Sequence, residues 1–232
     1  MILYAIPTPL GGAPGDALPV SVLERVRTLE SFVVENEKSA RAFLSAVKMP
    51  RPLQELSLAT LDEHTAPNEI ASLLKPLREG RSLGLLSEAG CPAIADPGAA
   101  LIEAAHREGF RVVPLVGPSS LVLALMASGL EGQRFAFCGY LPREKPEREK
   151  RIRELEKRSR AEGETEIFIE TPYRNDALLA SLLQSCSEKT RLCVAVDLTL
   201  SSEAVQTKSI HEWKAARPTI GKRPAVFLIY AG

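Results

Sequence analysis

The stretch Ser87 to Gly98, SEAGCPAIADPG, gathers Gly90, Cys91, Pro92, Asp96, Pro97 and Gly98 between a buried-strand pattern, SLGLLS, and a helical one. A strand-to-helix connection needs less turn chemistry than this. The residue types suit a ligand grip: glycine lets the backbone approach closely, proline stiffens the turn, and an acidic side chain precedes a helix start with free amides. Three other loops share the character, PTPLGG (Pro7 to Gly12), VGPSS (Val116 to Ser120) and ETPYR (Glu170 to Arg174). Each falls where a strand pattern stops, and open α/β sheets bind ligands beyond the carboxyl ends of their strands. Any one loop taken alone reads first as a plain connection, because glycine and proline punctuate ordinary turns. Together the four are candidates for one shared cleft. No GxGxxG follows the first strand and no GxxxxGK[ST] occurs, so neither a dinucleotide fingerprint nor a Walker phosphate loop is indicated. PTPLGG, with two prolines lacking amide donors, makes a stiff wall better than an anion cradle.

The elements that must position these loops follow from apolar spacing. Strands are predicted at ILYAI, SFVVE, LSLAT, SLGLLS and RVVPLV, and helices over Leu18–Leu29, Lys38–Val47, Asn68–Glu79 and Ala99–Glu108. Alternating β and α elements predict βα units on a largely parallel sheet. Asp96 is placed to cap the helix after it, with Pro97 in its first turn and Gly109 beyond its end. After GPSS the pattern changes: a helix over Ser119–Ser128, the strand RFAFCGYL, a charged segment Arg143–Arg160, then TEIFIET, a helix, RLCVAVDL, a short strand near QTKSI and the closing AVFLIYAG. Consecutive late strands predict a mixed sheet. The boundary is set near Gly117, giving an N-terminal α/β domain over 1–117 and a C-terminal α/β domain over 118–232.

The chain has 232 residues, 45% of them hydrophobic, enough for a sizeable core. Its longest apolar runs are too short for a bilayer and MILYAIPTPLGG lacks a signal-peptide pattern, so a cytoplasmic protein without a membrane partner is expected. Four cysteines without a CxxC pair and three scattered histidines predict neither a disulfide framework nor a metal site. Only His64 is retained as a possible site residue. With 29 basic and 29 acidic residues the formal charge is zero, so a nucleic-acid partner requires a local basic surface. Arg143–Arg160 holds nine basic and five acidic residues, with only Ile152 and Leu155 apolar. It reads as a helix barely anchored to the core, either a solvated face supported by pairs such as Glu147–Arg151 and Glu154–Arg158 or a contact for phosphates through Lys145, Arg148, Lys150, Arg151 and Arg153.

In order along the chain, these loops resemble the tetrapyrrole (corrin/porphyrin) methylase superfamily, and within it the branch of the ribosomal RNA small-subunit methyltransferase I enzymes. PTPLGG is similar to a TPIGN-like loop, VENEKSAR (Val34 to Arg41) to an AEDTR-like segment, and SEAGCPAIADPG to SDAGTPxISDPG. VVPLVGPSS follows at the expected distance; FCGYLPREK, ETPYR and VDLTLSSE (Val196 to Glu203) are similar to FxGFLP, ESPHR and RELTKxxEE. The resemblance spans nearly the whole chain.

It implies a pair of α/β domains with S-adenosylmethionine in the cleft between them, a homodimer, and no metal. Ala89, Gly90, Cys91, Ile94 and Asp96 would approach the methionine and ribose, joined by Ser119 and Ser120. Pro9 would wall the cleft, and Tyr140, Tyr173, Leu198 and Ala225 would surround the adenine. On the acceptor side it implies Glu35, Glu88, Glu170 and Arg174 as catalytic candidates: a carboxylate can take a hydroxyl proton, and an arginine can hold a phosphate. The sequence departs from the pattern at Gly11–Gly12, at Glu35 to Lys38, and at Glu88, Tyr173 and Asp197. The departures cluster on acceptor-side positions. Three functions therefore stay open: methylation of a ribose 2′-hydroxyl in ribosomal RNA, with the small ribosomal subunit as partner; methylation of a tetrapyrrole or other small molecule; or a cofactor-binding module without turnover.

Overall fold

A computed structural model describes residues 1–62, 64–216 and 218–232. The chain divides into two compact units, Met1–Ser119 and Ser120–Gly232.

Unit 1 is a five-stranded, wholly parallel sheet: β1 (Ile2–Ile6), β2 (Ser31–Val34), β3 (Ser57–Thr60), β4 (Leu83–Leu86) and β5 (Arg111–Pro114), ordered β3-β2-β4-β1-β5. β1, β2 and β4 read as unbroken apolar runs because both faces of the sheet are covered. Alternate residues divide between two cores. Tyr4, Ile6, Phe32, Val34 and Leu86 meet α2 (Val20–Arg27) and α3 (Glu37–Val47), while Leu3, Val33, Leu83 and Leu85 meet α6 (Gly98–Arg107) and the segment before β4. Each such fully buried aliphatic or aromatic side chain contributes about 1.5–3 kcal/mol.

Helix ends follow local chemistry. A single turn, α1 (Pro14–Ala17), precedes α2. Asn36 caps α3, its Oδ1 accepting from the amides of Lys38 (2.9 Å) and Ser39 (3.2 Å). The helix expected over Asn68–Glu79 is broken into α4 (Pro67–Ile70), a 3-10 turn at Ala71–Leu74, and α5 (Lys75–Arg78). Pro76 is the reason, since it lacks an amide and its ring collides with the carbonyl four residues back. The cap of α6 also differs from expectation. Pro97, not Asp96, occupies the N-cap position, although Asp96 Oδ1 does accept from the Gly98 amide at 3.0 Å.

Unit 2 opens with α7 (Ser120–Ser128), then β6 (Phe135–Tyr140), α8 (Lys145–Glu162), β7 (Thr165–Ile169), α9 (Asn175–Ser185), β8 (Arg191–Val196), β9 (Ala204–Ser209), α10 (Ile210–Ala215) and β10 (Ala225–Tyr230). Its sheet is mixed: in the order β6-β7-β10-β8-β9, only β6 and β7 are parallel. α8 and α9 pack on one face over Phe168, Val194, Phe227 and Ile229, where the Phe168 and Phe227 rings stack.

α8 is far better anchored than its composition suggests. Ile152 and Leu155 are buried, and so are Arg148, Glu156 and Ser159. The Arg148 guanidinium donates to Ser181 Oγ (3.0 Å) and to the Arg143 carbonyl (2.6 Å), which removes it from any phosphate-contact surface. The expected Glu147–Arg151 and Glu154–Arg158 pairs are replaced by Arg151–Glu154 (3.2 Å) and by Arg158 with Glu164 (3.0 Å) and Glu166. The fully buried Glu166 carboxylate draws Arg158 inward, since an unpaired charge there would be costly.

Candidate functional site

In unit 1, β2 continues outward to β3 while β4 continues the other way, across β1, to β5. The crevice beyond the carboxyl ends of β2 and β4 is therefore a topological switch point, where parallel sheets bind ligands. The loops after β1, β4 and β5 are locked together beside it. Thr8 and Gly90 exchange both backbone hydrogen bonds (2.9 and 3.1 Å), Ser87 Oγ donates to the Gly90 carbonyl (2.6 Å), and Cys91 Sγ donates to the Pro118 carbonyl (3.4 Å). Gly117 lies so close to Pro7 that any Cβ would collide with its ring.

Gly90 has φ +81°, and a Cβ there would meet Leu10 Cδ2 at 3.2 Å and the Pro118 carbonyl oxygen at 3.6 Å. Its glycine is thus required by backbone conformation and by protein neighbours. Strain marks the rest of the loop. Among the described residues, non-glycine positive φ occurs at Lys48 and in two pairs, Ala93 (65°) with Ala95 (63°) and Asp197 (52°) with Thr199 (73°). Each costs about 1–3 kcal/mol, and such residues gather at ligand clamps. Asp96 holds the first pair in place, its Oδ1 accepting from the amides of Ala93 (2.5 Å) and Gly98 (3.0 Å). Cys91 and Ala95 donate no backbone hydrogen bond among the described residues, and Ala89, Ile94 and Ala95 are exposed. The donor set fits the carboxylate and ribose hydroxyls of a nucleoside-amino-acid cofactor. Pro9 and Ser119 are partly buried in the neighbouring loops.

Carboxylates crowd the same crevice. Glu35 follows β2 and Glu88 follows β4, and the Glu88 amide donates to the Glu35 carboxylate. Ser39, in the first turn of α3, donates to Glu88 Oε1 at 3.1 Å. Burial pushes the Glu35 pKa up, and the charges of Glu88, Asp96 and Asp62 push it further, against the opposing Glu88 amide. Burial likewise raises Asp96, although its two amide partners oppose this. The Cys91 thiol is also raised, by burial and then by Asp96, so it stays protonated. A carboxyl whose pKa is raised in this way is suited to accepting a proton.

In unit 2 the candidates are differently placed. Glu170, buried after β7, accepts from Arg174 Nη2 (2.5 Å) and from the Thr171 amide (2.7 Å), and Arg174 also reaches the Leu141 carbonyl (3.3 Å). Tyr173 is 79% exposed, with Lys222 Nζ 4.8 Å above its ring, and Tyr140 is exposed at the end of β6. Leu198 and Ala225 are buried at the end of β8 and the start of β10, and Ser120 begins α7. Asp197 accepts from Arg223 Nε (2.7 Å) and Ser202 Oγ (2.8 Å). Its pKa is lowered: burial acts upward, but Arg223 and Ser202 outweigh it. Asn175 donates to the carbonyls of Gly221 (3.2 Å) and Arg223 (2.7 Å), while its buried Oδ1 meets no donor among the described residues.

Thr8, Ser39 and Asn175 matter here without standing out in the sequence. Thr8 sits unmarked between two prolines, and the other two act through partners 49 and 46 residues away. Among the described residues, no helix is long and apolar enough to cross a membrane.

Comparison with known proteins converges on one family. Residues 3–213 match the tetrapyrrole (corrin/porphyrin) methylases. The chain is 31% identical over 232 residues to ribosomal RNA small subunit methyltransferase I of Vibrio cholerae, covering 99% of this chain and 77% of that protein. It is 36% identical over 203 residues to the protein of the same name in Xylella fastidiosa, covering 88% and 70%. Among solved structures, the methyltransferase CobJ superposes with a TM-score of 0.64 over 99% of this chain and 93% of that one, at 19% identity, a likeness of fold. Sequence, fold and relatives agree that this chain, a methyltransferase, belongs to the tetrapyrrole methylase family.

Proposed function

We propose that the protein transfers a methyl group from S-adenosylmethionine to a ribose 2′-hydroxyl of small-subunit ribosomal RNA. The observation that carries this is the Ser87–Gly98 loop, strained at Ala93 and Ala95 and fixed by Asp96, beside a carboxyl whose pKa is raised. Relatives named for the small ribosomal subunit support the choice of acceptor.

When bound, the cofactor supplies a methyl on a sulfonium, open to direct displacement by an oxygen nucleophile. The chain's task is positioning, water exclusion and proton removal. Ala89, Gly90, Cys91, Ile94, Asp96 and Ser119 hold the methionine and ribose side, with Pro9 as wall; the free Asp96 Oδ2 is an acceptor for a ribose hydroxyl. Ser120 joins them on that side, and Tyr140, Tyr173, Leu198 and Ala225 are assigned to the adenine. Glu35 would accept the 2′-hydroxyl proton of the acceptor. Glu88 orients Glu35 through its amide, and its charge adds to burial in raising the Glu35 pKa. Glu170 fixes Arg174, whose Nε and Nη1 remain available for an acceptor phosphate.

The protein acts in the cytoplasm as a homodimer. In unit 2, Val122 (51% exposed) and Met126 (75%) on the almost wholly apolar α7, and Phe135 (49%) on the edge strand β6, are exposed apolar side chains that a second copy would cover. Sedimentation of wild type and Met126→Glu tests this; a monomeric wild type contradicts it.

Calorimetry with S-adenosylmethionine, followed by labelled-methyl transfer to small subunits from a strain lacking the gene, tests the function. Binding with 2′-O-methylribose in the digested RNA is the expected result. Binding without transfer to RNA would redirect the search to a small-molecule acceptor.

A further inference from the structure

α8 sorts its charges by face. Buried Arg148, Ile152, Leu155 and Ser159 recur at spacings of three and four, so they share one side of the helix. Lys150, Arg153 and Lys157 recur in the same way, displaced by roughly half a turn, and all three are exposed on the opposite side. The other cations of the helix are already engaged. Lys145 pairs with Glu149 (3.5 Å), Arg151 with Glu154 (3.2 Å), Arg158 with Glu164 and Glu166, and Arg160 with Glu156 (3.6 Å), while Arg148 is buried on Ser181. Lys150, Arg153 and Lys157 form no ion pair among the described residues. The outer face of α8 is therefore a row of three unmatched cations on a rigidly seated helix, in a chain of zero formal charge.

We propose that Lys150, Arg153 and Lys157 are the contact through which the protein holds the phosphate backbone of its RNA acceptor. This rests on the ribosomal RNA reading above. The shape of the surface selects the ligand. Lys150 to Lys157 spans about 10 Å at 1.5 Å per residue, comparable to about three nucleotides of a strand at 3.4 Å rise. The row is linear and convex, without convergent donors, so it suits a linear polyanion better than a small anion. No apolar side chain lies between the three cations on this face, whereas a helix that lies on lipid presents an apolar face to the bilayer. Glu149 and Glu154, the nearest carboxylates paired on this helix, are held by Lys145 and Arg151.

The test compares the full-length wild type, the triple variant Lys150→Gln/Arg153→Gln/Lys157→Gln, and a control, Lys145→Gln/Arg151→Gln/Arg160→Gln, which removes equal charge from paired positions. Binding to purified small ribosomal subunits is measured across a salt series, with S-adenosylmethionine affinity as a check on folding. Each phosphate contact contributes about 0.7–0.9 to the slope of log K against log salt, so the triple variant should flatten it by about 2–3. The control should keep the wild-type slope. An unaltered slope in the triple variant, or equal flattening in the control, overturns the proposal even if the wild type methylates ribosomal RNA. A wild type that neither binds nor methylates subunits fails at the RNA reading itself. Salt-sensitive binding of the wild type to phosphatidylglycerol vesicles and not to subunits would assign the row to a lipid surface and overturn it equally.

Discussion

The carboxylates at the strand ends of the two units keep opposite company. In unit 1, Glu35 faces Glu88, Asp96 and Asp62, and among the described residues none of Glu35, Glu88 and Asp96 pairs with a lysine or arginine. In unit 2, Glu170 has Arg174, Asp197 has Arg223 and Glu166 has Arg158. Matched pairs fix geometry, which suits scaffolding. Burial and the neighbouring carboxylates together raise the Glu35 pKa, which suits proton transfer. The contrast separates the four acceptor-side candidates into a reactive pair, Glu35 and Glu88, and a bracing pair, Glu170 and Arg174.

The largest effect should come from breaking a matched pair. Arg158→Leu leaves Glu166 buried without its cation and should cost about 3 kcal/mol in urea unfolding. Adding Glu166→Leu should recover most of that loss; no recovery would mean that Arg158 stabilises by packing and not by matching charge. Next, Gly117→Val forces a branched side chain against Pro7 and should cost about 2 kcal/mol while unlocking the loops of unit 1, seen as weakened S-adenosylmethionine binding. An unchanged melting temperature would refute the close approach. Smaller again is Asn36→Ala, which removes the cap of α3 beside the reactive pair and should cost about 1 kcal/mol.

The finest comparison is one of sign. Glu35 has a raised folded-state pKa, so its contribution to stability is present below the ordinary carboxylate range and is lost as pH rises through the raised value. Asp197 is lowered, so its contribution is present above the ordinary range and is lost as pH falls through the depressed value. Accordingly, Glu35→Gln should stabilise at pH 7 relative to pH 4, and Asp197→Asn should destabilise more at pH 7 than at pH 3. Melting curves of both variants across pH decide this, and parallel profiles would erase the distinction between the units.

Much of this was legible in the sequence for a physical reason. Glycine and proline report backbone conformation locally, so the loop from Ser87 to Gly98 and its neighbours stood out, as did the change from alternating βα units to consecutive strands. Pairing did not stand out, because it depends on residues far apart in the chain. Arg148 reads as one more cation in a charged run until Ser181, 33 residues on, is found against it. Asp197 meets its arginine 26 residues away, and only the folded sheet brings Glu88 to Glu35. The break at Pro76 had a clear local signal, which the longer apolar spacing around it outweighed.

The most direct test is single-turnover transfer of labelled methyl to small ribosomal subunits by wild type and Glu35→Gln at saturating S-adenosylmethionine, with the dissociation constant measured in parallel. Cofactor affinity should stay within about twofold of wild type and the rate should fall by about 10²–10⁴, the range for loss of a general base. The wild-type rate should rise with pH through the raised Glu35 pKa, and the variant should lack that rise. A Glu35→Gln enzyme that transfers methyl at the wild-type rate would contradict the assignment of the unpaired carboxylates of unit 1 to catalysis.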